Sequence, residues 1–151
     1  MKPLLIIGLG NPLMGDDGVG CAVVERLAAD PRLPDYAEAV NGGSDLLRCA
    51  GWMEGRSRVV VIDAFEDGGD PGSVLVLEGA GGLDERQSHV HHLSAVQSIR
   101  LLQMVAPAPF TLLGISVPSV KAGSGLSPML AGQMPAILDR VLRELTWSSS
   151  M

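Results

Sequence analysis

Short aliphatic runs alternate along this chain with segments whose apolar residues recur at helical spacing, and this alternation constrains the fold most strongly. Residues 4–7 are all aliphatic, and Val19, Val23 and Leu27 then recur as on one face of a helix. Residues 59–62 form a second aliphatic run, and it is strongly β-branched. Strands that alternate with helices favour one largely parallel sheet with helices on both faces.

The same patterns divide the whole chain into elements. The predicted strands cover residues 4–7, 36–40, 59–62, 73–77 and 110–117. The predicted helices cover residues 17–29, 45–52 and 88–104 and a last segment that begins with the cap Ser127 and Pro128. Pro135 lies inside that last segment, where we expect a kink or a restart. We therefore predict one domain over residues 1–151, a three-layer α/β/α fold with about five strands.

Charge and cysteine usage exclude several classes of partner. The net charge of −6 and the pI of about 4.9 disfavour binding to phosphate backbones, so no nucleic-acid partner is expected. The apolar run at 4–7 is too short for a signal-peptide core or a membrane span. Cys21 and Cys49 lack a metal-type spacing and are expected to be buried, reduced thiols. These features predict a soluble cytoplasmic protein.

The loop at residues 8–18 joins the first strand to the first helix and has three competing interpretations. A dinucleotide-binding fingerprint requires glycine where Leu13 stands. A phosphate-binding loop requires Lys and Ser/Thr where Asp16 and Asp17 stand, and these carboxylates would repel phosphate. The third interpretation is a loop that presents an ionised carboxylate at a helix N-terminus, ready to bind a cation. We assign helix capping to Asp16 and cation binding to Asp17.

A second acid is predicted at the same edge of the sheet. Asp63 directly follows the aliphatic run at 59–62, at the carboxyl end of a buried strand. Ligands of open α/β sheets gather at that edge, and the loop that carries Asp17 leaves the sheet there too. Asp17 and Asp63 are therefore expected to converge, although a strand-end Asp also commonly caps the next turn.

Three histidines, His89, His91 and His92, offer a possible third ligand. Two carboxylates and one imidazole form a mixed oxygen and nitrogen set that suits a borderline divalent metal. Ser88 is the predicted cap of the third helix, which places His89 where the chain enters that helix. A helix that begins two residues later would put His91 in the same place.

The loop sequence Gly-Leu-Gly-Asn-Pro-Leu-Met-Gly-Asp-Asp-Gly resembles the opening signature of the hydrogenase maturation proteases. The resemblance extends over nearly the whole chain in the family's order. It continues through Gly42-Gly43-Ser44, Val61-Ile62-Asp63-Ala64, Asp70-Pro71-Gly72, Ser88-His89, Leu113-Gly114-Ile115 and Gly125-Leu126-Ser127-Pro128.

This resemblance implies an endopeptidase, of aspartyl or metal-dependent type, that trims the C-terminal extension of a hydrogenase large-subunit precursor. In the family, residues matching Asp17, Asp63 and His89 form a metal-binding and catalytic site that recognises nickel already installed in the precursor. The substrate would then supply the nickel, and no organic cofactor is implied. Asn41 departs from the family pattern, which often has Asp before Gly-Gly, so a partner-recognition role for that carboxylate is in doubt here.

Two alternatives remain at the level of sequence. Peptidyl-tRNA hydrolases also begin with a strand and Gly-Leu-Gly-Asn-Pro, but they continue with a Tyr and an Arg-His-Asn segment and need a basic face. The other alternative is a non-catalytic module that senses metal or acts as a chaperone during hydrogenase assembly. The residues also leave open whether the metal activates water and the scissile carbonyl, or only positions the substrate for an aspartate base.

Overall fold

The structure is a computed structural model that describes residues 1–78, 93–105, 108–118 and 120–149. Five strands occur in these parts of the chain: β1 Leu4–Leu9, β2 Ala37–Gly43, β3 Arg58–Phe65, β4 Val74–Glu78 and β5 Phe110–Ser116. The α-helices of the same residues are α1 Val19–Ala29, α2 Ala50–Met53, α3 Leu93–Val105 and α4 Pro128–Ser149. Turns of 3₁₀-helix at Gly15–Gly18 and Leu46–Cys49 precede α1 and α2.

The strands form one sheet in the order β2-β1-β3-β5-β4, in which only β4 runs antiparallel. Helices α1 and α4 cover one face, and α2 and α3 with the second 3₁₀ turn cover the other. The prediction of a five-stranded, largely parallel α/β/α domain is confirmed. The central strand β3 is buried from Val59 to Phe65, which explains its nearly continuous aliphatic sequence.

The strand order reverses beside β1, and this reversal positions the site. After β1 the chain passes through α1 to β2 on one side, and β3 then pairs with the opposite side of β1. The connections that leave β1 and β3 therefore diverge at the carboxyl edge of the sheet. Such a switch point leaves a crevice between the two strand ends, which is where open α/β sheets bind their ligands.

Several predicted boundaries differ from the structure. Asp17 lies in the 3₁₀ turn Gly15–Gly18, before α1 rather than at its first position. Strand β3 continues to Phe65, so Asp63 lies inside the strand and not after it. The segment predicted as a helix at 45–52 is a 3₁₀ turn followed by a single α-helical turn. The third helix is described only from Leu93, so its predicted start at Ser88 lies outside the described residues.

The last helix begins as predicted but does not restart at its proline. The hydroxyl oxygen of Ser127 accepts a hydrogen bond from the amide of Leu130, which confirms the cap. Pro135 lies within the uninterrupted helix α4. The buried stripe around it, which includes Met134 and Ile137, packs into the core. Burying each such side chain contributes about 1.5–3 kcal/mol, and together they offset a proline penalty of about 3 kcal/mol. Over the described part of the chain, no helix has the length and apolarity needed to cross a membrane.

Candidate active site

The loop after β1 is folded back so that Asp17 faces its beginning. Gly10 has a φ of +145°, and a Cβ atom there would collide with the carbonyl oxygen of Asp17. Glycine is therefore required for the loop and the 3₁₀ turn to approach so closely. The Oδ2 atom of Asp17 accepts a hydrogen bond of 2.9 Å from the amide of Asn11. The Asp17 side chain is only 7% exposed, so its position is set by this loop rather than by solvent.

Asp63 lies near the carboxyl end of β3 and is 2% exposed. It is in register with Gly114 of β5, and its Oδ1 atom accepts a hydrogen bond of 2.8 Å from the amide of Ala64. Alternation along β3 directs Asp63 to the face that carries Val59, Val61 and Phe65, which is the face covered by α3. Asp63 is therefore a buried acid at the sheet edge.

Helix α1 begins directly against the ends of β1 and β3. A Cβ atom at Gly20 would collide with the carbonyl oxygens of both Leu9 and Ile62. This contact brings the turn that carries Asp17 over the part of β3 that carries Asp63. Sequence reasoning missed the role of Gly20, although a glycine inside a helical pattern is itself a signal of close approach.

The two acids interact electrostatically. Burial above all, and also the negative charge of Asp17, raise the pKa of Asp63 against the opposing effect of the hydrogen bond from Ala64, and the resulting pKa is about 8. Without a cation, the Asp63 carboxyl is therefore largely protonated at neutral pH. A divalent cation between the two acids would favour both ionised forms, and its binding would release the proton.

The predicted third ligand cannot be compared with the structure, because His89, His91 and His92 lie outside the described residues. Within the described ranges, no group of three or more His, Cys, Asp or Glu side chains is placed to hold a metal ion. The structure thus brings together Asp17 and Asp63, and the choice among the histidines stays a prediction.

Asp16 does not cap α1, so that expectation was wrong. Its Oδ1 atom accepts a hydrogen bond of 2.7 Å from the amide of Ser127, at the start of α4. The 3₁₀ turn points consecutive side chains in different directions, which places Asp16 toward the segment before α4 and Asp17 toward the loop start. Two adjacent acids therefore make different contacts, and Asp16 joins two loops at the sheet edge.

Cys21 also lies close to the site, and its thiol is protonated at neutral pH when no cation is present. Burial above all, and also the charges of Glu25, Asp63 and Asp17, raise the pKa of its thiol to about 11. Its sulfur contacts the carbonyl oxygen of Gly10 at 3.5 Å. Cys21 and Cys49 are both free and buried, as predicted.

Comparison with known proteins decides between the candidate families. The family model described as hydrogenase maturation protease matches residues 21–144. The chain belongs to this family. It is 29% identical to the hydrogenase 2 maturation protease of Escherichia coli K12 over 147 residues, which are 94% of this chain and 90% of that protein.

Solved structures of the family share the fold. The hydrogenase maturating endopeptidase HybD from E. coli superposes with a TM-score of 0.72 at 27% identity, over 98% of this chain and 94% of that one. The NiFe hydrogenase maturation protease HybD from Thermococcus kodakarensis gives a TM-score of 0.72 at 26% identity, over 95% of this chain and 98% of that one.

In this family member, the departure at Asn41 has a local explanation. The Asn41 Oδ1 atom accepts a hydrogen bond of 2.9 Å from the amide of Gly43, and its Nδ2 atom donates to Glu25 Oε1 at 3.3 Å. An aspartate at position 41 would place a second negative charge against Glu25. The amide at 41 is thus matched to the carboxylate on α1.

Proposed function

We propose that this protein is an endopeptidase that removes the C-terminal extension of a hydrogenase large-subunit precursor after nickel has been installed. The observation that carries the proposal is the pair of buried acids, Asp17 and Asp63, at the switch point of the sheet. Family membership supports the same activity. The proposal includes a cytoplasmic location. It requires no organic cofactor, and the metal it uses is the nickel of the substrate.

Asp17 and Asp63, together with His89, would contact the precursor's nickel. The donor set fits, since carboxylate oxygens and an imidazole nitrogen suit a borderline divalent metal. A cation at this position also offsets the electrostatic cost of ionising Asp63 beside Asp17. The proton of Asp63 would leave as the nickel-loaded precursor binds, so a precursor without nickel would meet a protonated, poorly matched site.

Two chemical routes follow from this arrangement. The nickel can polarise the scissile carbonyl or activate a water molecule. Alternatively, it positions the peptide while one aspartate accepts a proton from water. In both routes the protein's contribution is to hold the two carboxylates in a buried crevice, where charges interact more strongly than in bulk water.

The test uses purified protein with two forms of the precursor, nickel-loaded and nickel-free, followed by intact-mass spectrometry. We expect loss of the C-terminal peptide from the loaded precursor alone. An unaltered mass together with a stable complex would instead support the non-catalytic binding module. Equal cleavage of both forms would contradict recognition of nickel while leaving the protease activity in place.

A further inference from the structure

A second feature lies beside the 3₁₀ turn that carries Asp17. A pocket of about 400 Å³ opens between the 3₁₀ turn before α1 and the segment that leads into α4. This volume lies within the range of about 300–1,000 Å³ that is usual for ligand pockets. Its lining residues come from the two loops at the sheet edge: Gly15, Asp16, Pro118, Lys121, Ala122, Gly123, Ser124, Gly125, Leu126 and Ser127.

The pocket wall is fixed to the loop that carries Asp17. Gly123 forms a parallel bridge with Met14. Its amide donates a hydrogen bond of 3.0 Å to the carbonyl of Leu13, and its carbonyl accepts one of 2.8 Å from the amide of Gly15. The bond from the Ser127 amide to Asp16 closes the other end of the wall. Asp16 lines the pocket and lies in the same 3₁₀ turn as Asp17, so a chain held in the pocket lies against the turn that carries Asp17.

At its two glycines the wall offers exposed backbone. Gly123 and Gly125 have φ values of +148° and +82°, and a Cβ atom at either position would meet no atom of the described residues within 4 Å. The backbone at both glycines therefore faces open space, where another main chain can approach closely. An open wall with exposed main chain of this kind suits an extended peptide.

The charged residues that line the pocket are Lys121 and Asp16, so their formal charges cancel. The protein carries a net charge of −6 and has only two lysines, Lys2 and Lys121. Lys121 is exposed on the pocket wall, and it makes no ion pair with any residue in the described ranges. The nearby acid Asp16 is instead held by the Ser127 amide. A negative group that approaches this acidic edge would find its favourable partner at Lys121.

We propose that this pocket binds the peptide segment of the precursor next to the scissile bond, and that Lys121 pairs with a carboxylate of that segment. This inference rests on the proposed protease function. The carboxylate is either the C-terminal α-carboxylate of the extension or an acidic side chain within it. Lys121 acts in binding and does not touch the reacting atoms.

Steady-state kinetics on the nickel-loaded precursor separate binding from chemistry. Lys121→Glu should raise KM about ten-fold and Lys121→Ala about three-fold, with kcat nearly unchanged, because an interaction common to the ground and transition states is lost. Added salt should raise the KM of the wild type more than that of Lys121→Ala. Lys2→Glu is the matched control, because Lys2 precedes β1 at the opposite edge of the sheet, and its KM should equal that of the wild type.

Carbodiimide cross-linking gives a readout that does not depend on cleavage. The probe is the synthetic C-terminal peptide of the precursor, and its carboxylates should join to Lys121 and not to Lys2. An amidated C-terminus removes the cross-link if the α-carboxylate is bound, whereas Asp→Asn and Glu→Gln changes in the peptide remove it if a side chain is bound.

Unchanged KM in Lys121→Glu, or equal cross-linking at the two lysines, would overturn the inference. These outcomes differ from failure of the proposed function. If the wild type leaves the precursor intact, the protease proposal fails, and the cross-linking result still decides whether the pocket binds the peptide.

Discussion

At the scale of single residues, Asp63 fits the proposed function but makes the folded protein less stable as pH rises. Asp63 is buried beside Asp17, and its pKa rises from 3.8 to about 8. Between these values the folded protein binds more protons than the unfolded chain, so unfolding becomes easier as pH rises. A carboxylate kept in such surroundings suggests a role that needs its charge.

The first prediction follows from this fall in the free energy of unfolding with rising pH. Asp63→Asn keeps the size and the acceptor for the Ala64 amide but cannot ionise. The free energy of unfolding of the metal-free wild type should fall by up to about 1.4 kcal/mol per pH unit between about pH 5 and about pH 8, and this fall should be lost in the variant. Urea unfolding across this range checks it. Asp35→Asn, at an exposed position, should follow the wild type. Parallel curves for Asp63→Asn and the wild type would show that Asp63 titrates normally.

The second prediction concerns Asp16. Asp16→Ala leaves the Ser127 amide without its acceptor in a partly buried place, at a cost of about 1–3 kcal/mol. Asp16→Asn retains an acceptor oxygen and should cost less than half as much. Denaturant midpoints measure the stability of both variants. Equal losses of stability would mean that the charge of Asp16, and not its hydrogen bond, stabilises the protein.

The third prediction chooses among the histidines. Alternation places Asp63 on the sheet face covered by α3, and α3 leads into β5, which is parallel to β3. The start of α3 is therefore directed toward the carboxyl edge of the sheet, where the acids lie. His89→Ala should lose nickel binding and processing, whereas His91→Ala and His92→Ala should keep both. The reverse ranking would indicate that the helix begins later than its predicted cap.

At the scale of elements, the strands could be predicted from sequence, and the 3₁₀ turns could not. Buried parallel strands leave a local signal, since β3 must be aliphatic on both faces. The turn at Gly15–Gly18 depends on a bond between Asp16 and Ser127, which are 111 positions apart. No local pattern reports such a contact. The expected restart at Pro135 is absent for a related reason, because the residues around it pack into the core within one continuous helix.

The fourth prediction tests the packing of α1 on the sheet. Gly20→Ala should destabilise the protein by more than about 2 kcal/mol, because the new methyl group meets the carbonyls of Leu9 and Ile62. Gly132→Ala in α4 is the matched control. Its Cβ would meet no atom of the described part of the chain within 4 Å, so the change should stabilise the protein by about 0.5–1 kcal/mol. Urea midpoints of the two variants provide the comparison. A tolerated Gly20→Ala would contradict the close approach of α1 to the strand ends.

At the scale of the whole molecule, the site depends on topology. The reversal of strand order beside β1 opens the crevice, and the turn before α1 and the end of β3 place one acid each within it. Convergence of Asp17 and Asp63 could be predicted because parallel strands share a carboxyl edge. The pocket with Lys121 could not, since its wall is a glycine-rich loop whose position depends on bonds to a distant part of the chain.

The most direct test of the account is intact-mass spectrometry of the nickel-loaded precursor after incubation with the wild type, Asp17→Asn, Asp63→Asn and Asp35→Asn, at equal folded fractions. The account predicts loss of the C-terminal peptide with the wild type and Asp35→Asn, and an intact precursor with the two site variants. Normal cleavage by both Asp17→Asn and Asp63→Asn would contradict it.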